Sequence, residues 1–185
     1  LEKWNFVFLT KELQSICMRT NLLVFVMALL GLTVGAQTEQ CPCCTQNHQA
    51  FDFWVGSWEV TNPDGTPAGR NTIEKVLDSC ILKENWKSAR GGFIGTSTNF
   101  YNNRTGEWEQ LWIDNSGAHL KLHGNRVGNQ MILSSDAYTN ANGAQNINRI
   151  TWTLNNDGTV RQLWEVMEKD SVVNVAFDGL YRKVE

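Results

Sequence analysis

The side chains best suited to chemistry lie in alternating runs rich in tryptophan and amides. In Glu107-Trp-Glu-Gln-Leu-Trp-Ile-Asp114, one side of an extended chain carries Trp108, Gln110 and Trp112, and the other carries Glu107, Glu109, Leu111 and Ile113. In Thr159-Val-Arg-Gln-Leu-Trp-Glu-Val166, Val160, Gln162, Trp164 and Val166 share a face. A period of two marks a strand, because a helix would scatter each set around its axis. By the same rule Glu84 pairs with Trp86, and Asn99 with Tyr101. Arg149 alternates against Ile150, Trp152 and Leu154, so its direction stays open; it is counted with the interior candidates as one half of an ion pair.

If Trp112 and Trp164 point inward, Gln110 and Gln162 do too. An interior lined by Glu84, Trp86, Asn99, Tyr101, Gln110, Trp112, Arg149, Gln162 and Trp164 is a poor greasy tunnel. It suits a ligand with flat apolar faces and hydrogen-bonding edges, such as a sugar, a sterol-like acid or an aromatic metabolite. The competing expectation is a filled polar core in which these groups satisfy one another, as in many small barrels.

Catalysis has less support, and no catalytic residue is assigned. The sequence has no H-E-x-x-H, no G-x-S-x-G and no phosphate-binding loop. Glu84 and Glu165 form an acid–base pair only if both face inward, and Glu165 shares a face with Arg161, opposite Trp164. A hydrolase using the same pocket is therefore the second expectation, and an interaction module with a filled barrel the third. His119 and His123 alternate with Lys121 as a solvated face. Haem binding would want a histidine on a late strand, and none follows His123. No cofactor is expected.

These residues need strands to hold them, and turn signals supply the punctuation. Asn62-Pro-Asp-Gly65, Asp78-Ser79, Arg90-Gly-Gly92, Asn102-Asn-Arg-Thr-Gly106, Asn115-Ser-Gly117, Gly124-Asn125, Asn140-Ala-Asn-Gly143 and Asn155-Asn-Asp-Gly158 recur through the chain. Between them lie ten runs rich in Trp, Val, Ile, Thr, Phe and Tyr, near 57–62, 69–77, 80–87, 94–102, 107–114, 118–126, 129–137, 147–154, 159–167 and 173–183. Short connections make consecutive strands antiparallel, and closure removes exposed edges. The predicted fold is all-β, a single up-and-down barrel of about ten strands. The aromatic stretch Asn47–Val55 predicts a short helical turn that plugs one barrel end with Phe51, Phe53 and Trp54.

The chain has 185 residues, which the sequence divides unequally. Residues 1–17 precede a plausible start methionine and read as an over-called start. Residues 18–36 read as a signal peptide: Arg19, an apolar run from Leu22 to Leu32, then small residues ending at Ala36. The run is shorter than the roughly 18 to 20 apolar residues of a spanning helix, so no stable membrane span is expected after cleavage. Residues 37–50 form a cysteine-rich segment and 51–185 the barrel. Removing Lys3, Lys11, Arg19, Glu2 and Glu12 leaves 13 basic and 17 acidic residues. No basic block remains to neutralise phosphates, which sets nucleic acid aside. The expected location is periplasmic or secreted.

Four cysteines follow the signal: Cys41, Cys43, Cys44 and Cys80. In an exported protein an even number reads as disulfides. Cys80 is expected to pair with Cys43 or Cys44, because Cys41 is farther from the folded region. With His48 the cluster resembles a soft-metal site, but structural sites usually draw ligand pairs from two separated knuckles, so no metal is assigned.

Phe51-Asp-Phe-Trp-Val-Gly56-Ser-Trp58 resembles the opening of a group of exported bacterial, lipocalin-like domains of unknown function. The likeness continues through Cys80, Glu84, Trp86, Gly95–Asn99, Tyr101, Gln110–Trp112, Arg149–Trp152, Arg161–Glu165 and Phe177–Arg182. More widely the chain is similar to the calycins, the lipocalins and fatty-acid-binding proteins, whose first-strand G-x-W matches Gly56-Ser57-Trp58. That resemblance implies a structural role for Gly56, Trp58 and Arg182, with Arg182 stacked over Trp58 where the first and last strands meet. A planar cation over an indole contributes ~0.5 to 2 kcal/mol there.

Overall fold

The computed structural model describes residues 41–184, and the segments read as an over-called start and a signal peptide lie outside them. Eleven strands run as β1 (Gly56–Thr61), β2 (Pro67–Val76), β3 (Ile81–Ser88), β4 (Ile94–Asn102), β5 (Glu107–Asp114), β6 (His119–Val127), β7 (Gln130–Ser134), β8 (Tyr138–Thr139), β9 (Gln145–Leu154), β10 (Val160–Glu168) and β11 (Ser171–Lys183). Each consecutive pair from β1 to β7 is hydrogen-bonded; β7 then pairs with β9, β9 with β10, β10 with β11, and β11 returns to β1. The result is a closed antiparallel barrel of ten strands, with the two-residue β8 added on β9.

The ten barrel strands coincide with the ten runs read from the sequence, and the main difference is near 129–137. The ladder between β7 and β9 ends at Ser134↔Arg149. Beyond it the Ser135 hydroxyl accepts from the Asn148 backbone N–H at 2.9 Å, which turns the chain out of the sheet. The chain then pairs again as Tyr138–Thr139 against Gln145 and Asn146.

Two of the tight turns repeat one chemistry. In Asn62–Thr66 and Asn155–Thr159 an aspartate (Asp64, Asp157) accepts from both the amide and the hydroxyl of the threonine two residues on. These bonds hold both carboxyls below their ordinary range. Gly65 and Gly158 follow with φ of 83° and 81°, where a side chain would be strained.

The two barrel ends differ. One end carries the β2–β3, β4–β5, β6–β7 and β9–β10 turns, and residues 41–55 pack against it. Asp52–Trp54 makes one turn of 3-10 helix. Phe51 is fully buried, stacked on Trp54 and edge-on to Trp108 and Trp152. Arg126 of β6 covers Phe53 at 5.2 Å and donates to the Ala50 carbonyl. The four cysteines among the described residues are oxidised: Cys41 bonds Cys44, and Cys43 bonds Cys80, tying the N-terminal segment to the β2–β3 turn. The other end is open. Among the described residues no helix is long and apolar enough to cross a membrane.

Candidate functional site

The open end leads into a cavity of about 580 Å³, within the usual range for small-molecule sites. Glu84, Trp86, Gln110, Trp112, Gln162 and Trp164, six of the nine sequence candidates, line it. Their strands present them inward by simple alternation: β3 buries Leu82, Glu84 and Trp86, and β5 buries Trp108 and Gln110, with Trp112 next on that face.

Three candidates lie elsewhere. Asn99 is fully buried beneath the cavity, where it supports residues that do line it. Tyr101 belongs to the opposite end, accepting from Asn47 Nδ2 at 3.0 Å beside a smaller recess. Arg149 points outward, because its neighbours Asn148 and Ile150 hold the two adjacent inward positions of β9. There it donates to Glu165 Oε2 from Nε and Nη2 at 3.2 and 2.9 Å, its register partner on β10. Glu84 and Glu165 thus stand on opposite faces of the wall and form no acid–base pair.

The Arg182 expectation also needs correction. Trp58 lies in register with Lys183, whereas Arg182 is paired with Glu59 on the outer face. The cation over the Trp58 ring is the Lys183 ammonium, 5.3 Å from the centroid. Gly56 makes room for it: a Cβ there would stand 2.6 Å from Lys183 Cε.

Beneath the cavity the polar groups join into one chain across the wall. Gln110 Nε2 donates to Asn99 Oδ1 at 2.6 Å, Asn99 Nδ2 donates to Ser97 Oγ at 2.8 Å, and Ser97 Oγ donates to Glu84 Oε2 at 2.5 Å. From the other side Asn71 Nδ2 donates to Glu84 Oε1 at 2.7 Å and reaches Tyr181 Oη at 3.4 Å. Tyr181 donates onward to Gln162 Oε1 at 2.5 Å. A polar group buried without a partner costs about 1 to 3 kcal/mol, so a chain that satisfies nearly every member favours one arrangement of the wall.

The sequence reading missed Asn71, Ser97 and Tyr181, which are ordinary polar or aromatic strand residues until closure brings β11 and β2 to either side of β1. It also missed two glycines that seat the indoles. A Cβ on Gly95 would stand 2.2 Å from Trp112 Cζ2, and one on Gly69 2.6 Å from Trp86 Cζ2. The available signal was a glycine inside a strand pattern, which marks close approach.

Glu84 is the buried carboxyl of this site. Burial lifts it to about 7, partly offset by the bonds from Ser97 and Asn71 and by the charge of Lys83. Burial, with Glu84 as a charged neighbour, also pushes the Tyr181 phenol well above its ordinary range. The other ionisable side chains lining the cavity, apart from Tyr181, are Arg90, Asp114 and His119, all at the mouth. Among the described residues no set of three or more His, Cys, Asp or Glu is placed to hold a metal. No family model matches the chain, and no curated protein matches it.

Proposed function

We propose that this protein is an exported lipocalin-like barrel that binds a small molecule with flat apolar faces and hydrogen-bonding edges. The observation carrying this reading is the 580 Å³ cavity itself, walled by Trp86, Trp112, Trp152 and Trp164 and floored by Glu84, Gln110 and Gln162. A filled polar core would leave no such space. The two disulfides support export, because such bonds persist in oxidising compartments. The resemblance of the Phe51–Trp58 opening to exported lipocalin-like domains points the same way, and in this reading the 3-10 turn is the plug that makes the cavity blind-ended.

The test is native mass spectrometry of the protein purified from cells that make it, beside a denatured control. A discrete mass released on denaturation is the expected result. A clean unliganded mass, with no tryptophan fluorescence response to a small-metabolite panel, would sink the reading in favour of an interaction module.

One observation favours the hydrolase as a second reading: Glu84 lines the cavity with a carboxyl lifted to about 7, the range of a general acid or base. It would act alone, since Glu165 faces outward. Turnover of a bound metabolite that Glu84→Gln abolishes without loss of binding would select the enzyme.

A further inference from the structure

We propose that the ligand is an organic cation, an amine on an aromatic or alicyclic body, whose ammonium seats against the Glu84 carboxylate beneath the indoles of Trp86 and Trp112. This rests on the reading of the cavity as a ligand site and names the class that it takes.

The wiring of the polar chain carries the argument. Asn99 Nδ2 donates to the Leu82 backbone carbonyl at 3.0 Å as well as to Ser97 Oγ. A carbonyl only accepts, so the orientation of the Asn99 amide is fixed. Ser97 Oγ therefore receives a proton from Asn99 and turns its own toward Glu84. Asn71 brings another donor to the second carboxyl oxygen. Both arms end on Glu84 as an acceptor, the arrangement that an ionised carboxylate requires. Yet no basic side chain lies within ion-pair distance of Glu84 among the described residues, and Lys83, its neighbour in sequence, alternates to the outer face. A buried carboxylate supplied with donors and no counter-charge is incomplete by itself.

The walls fit the missing charge. In the ladder Glu84 is level with Ser97, and Ser97 with Trp112; Trp86 stands one pleat nearer the mouth. The Trp112 indole leans across Gly95 of β4 and the Trp86 indole across Gly69 of β2, so both rings stand on the mouth side of the carboxyl. Indole faces attract cations, most strongly where water is excluded. A neutral ligand that only accepts hydrogen bonds would need a proton on Glu84 aimed into the cavity, while both carboxyl oxygens already receive donors from the wall. An anion would meet the carboxylate directly. Gln110 Oε1, which has no partner within the protein among the described residues, offers a second acceptor to an ammonium.

The experiment is isothermal titration of the oxidised protein at pH 8 with three probes on one ring system: 2-naphthylethylammonium, 2-naphthylethanol and 2-naphthylacetate. The ammonium is expected to bind at least ~10-fold tighter than the alcohol, and the acetate weakest. Glu84→Gln is expected to erase that preference while changing alcohol affinity less than ~3-fold. Equal binding of alcohol and ammonium, or a preference that survives Glu84→Gln, overturns the cation while leaving a cavity that binds neutral molecules. Binding of none of the three overturns the cation proposal too, and the released-mass experiment then judges the cavity separately. Should Glu84→Gln fold poorly, proton release on binding at pH 6, measured in two buffers of different ionisation enthalpy, replaces it. The groups facing Glu84 are Tyr181 from β11, with Asn71, Ser97 and Gln110 uncharged; Arg90, Asp114 and His119 stand at the mouth. In a His119→Gln background, release of close to one proton per ammonium supports the pairing, and no release overturns it.

Discussion

Asn71 Nδ2 lies 2.7 Å from Glu84 Oε1, while Asn71 Oδ1 is buried without a partner among the described residues. The asparagine therefore serves the carboxyl and leaves its own acceptor unused. Glu84 binds its proton more tightly in the folded barrel, at about 7, than in the unfolded chain, near 4.5. Between those values the native state holds more protons than the unfolded state, so stability falls as pH rises from 4.5 to 7 and is flat outside that window for this group. The contribution is on the order of 3 kcal/mol.

Urea midpoints from pH 4 to pH 9 measure it. Glu84→Gln should flatten the fall and be the more stable protein at pH 8, since Asn71 can turn its unused oxygen toward the new amide. Glu84→Leu should also be level across the window, but less stable than the wild type by about 1 to 3 kcal/mol at pH 4, because it strands Asn71 and Ser97, with that deficit offset by pH 8. A wild-type midpoint that is level across the window would contradict the burial of an ionisable Glu84.

The two disulfides should be unequal. Cys43–Cys80 spans 37 residues and pins the N-terminal segment to the β2–β3 turn, where Leu77, Asp78 and Ser79 hold φ of 52°, 50° and 70°. Left-handed residues cost about 1 to 2 kcal/mol each, so that turn depends on its anchorage. Loop-closure entropy gives the long bridge about 4 kcal/mol and the three-residue Cys41–Cys44 loop under half of that. Cys43→Ser with Cys80→Ser should lower the urea midpoint markedly more than Cys41→Ser with Cys44→Ser. Equal losses would mean that the N-terminal segment adds little to the barrel.

Lys183 and Arg182 separate by one residue of register. Lys183→Ala should cost about 0.5 to 1 kcal/mol through the Trp58 ring, whereas Arg182→Ala should stay within about 0.5 kcal/mol. Chemical denaturation of the two variants distinguishes them, and the reverse order would restore the arginine to the closure of the barrel.

That reversal illustrates what the sequence carried. Ten strands were legible because Trp108, Gln110 and Trp112, or Glu84 and Trp86, recur at a period of two between strong turn signals. The same period nominated six residues that line the cavity. It does not report register, and register decides whether Lys183 or Arg182 stands beside Trp58. Nor does it report closure, which alone brings Tyr181 of the last strand to Asn71 of the second. Arg149 was ambiguous for a related reason. It alternates with large apolar residues, but its partner Glu165 becomes visible only when β9 and β10 are aligned.

Gly95 tests whether the shape of the cavity depends on a missing side chain. It lies on the inner face of β4, and an added Cβ would stand 2.2 and 2.4 Å from Cζ2 and Cη2 of the Trp112 indole. The backbone of β4 is fixed by β3 and β5, so the ring must swing, and the space available to it is the cavity. Gly95→Ala should therefore cost about 1 to 3 kcal/mol as an overpacked site. It should also shift tryptophan emission and weaken ligand binding more than ~10-fold. Gly91→Ala is the control, since a Cβ there meets nothing within 4 Å. Urea titration, emission spectra and calorimetry on both variants decide the matter. If Gly95→Ala matches Gly91→Ala in all three, the indole is free to move and the glycine does not set the pocket wall.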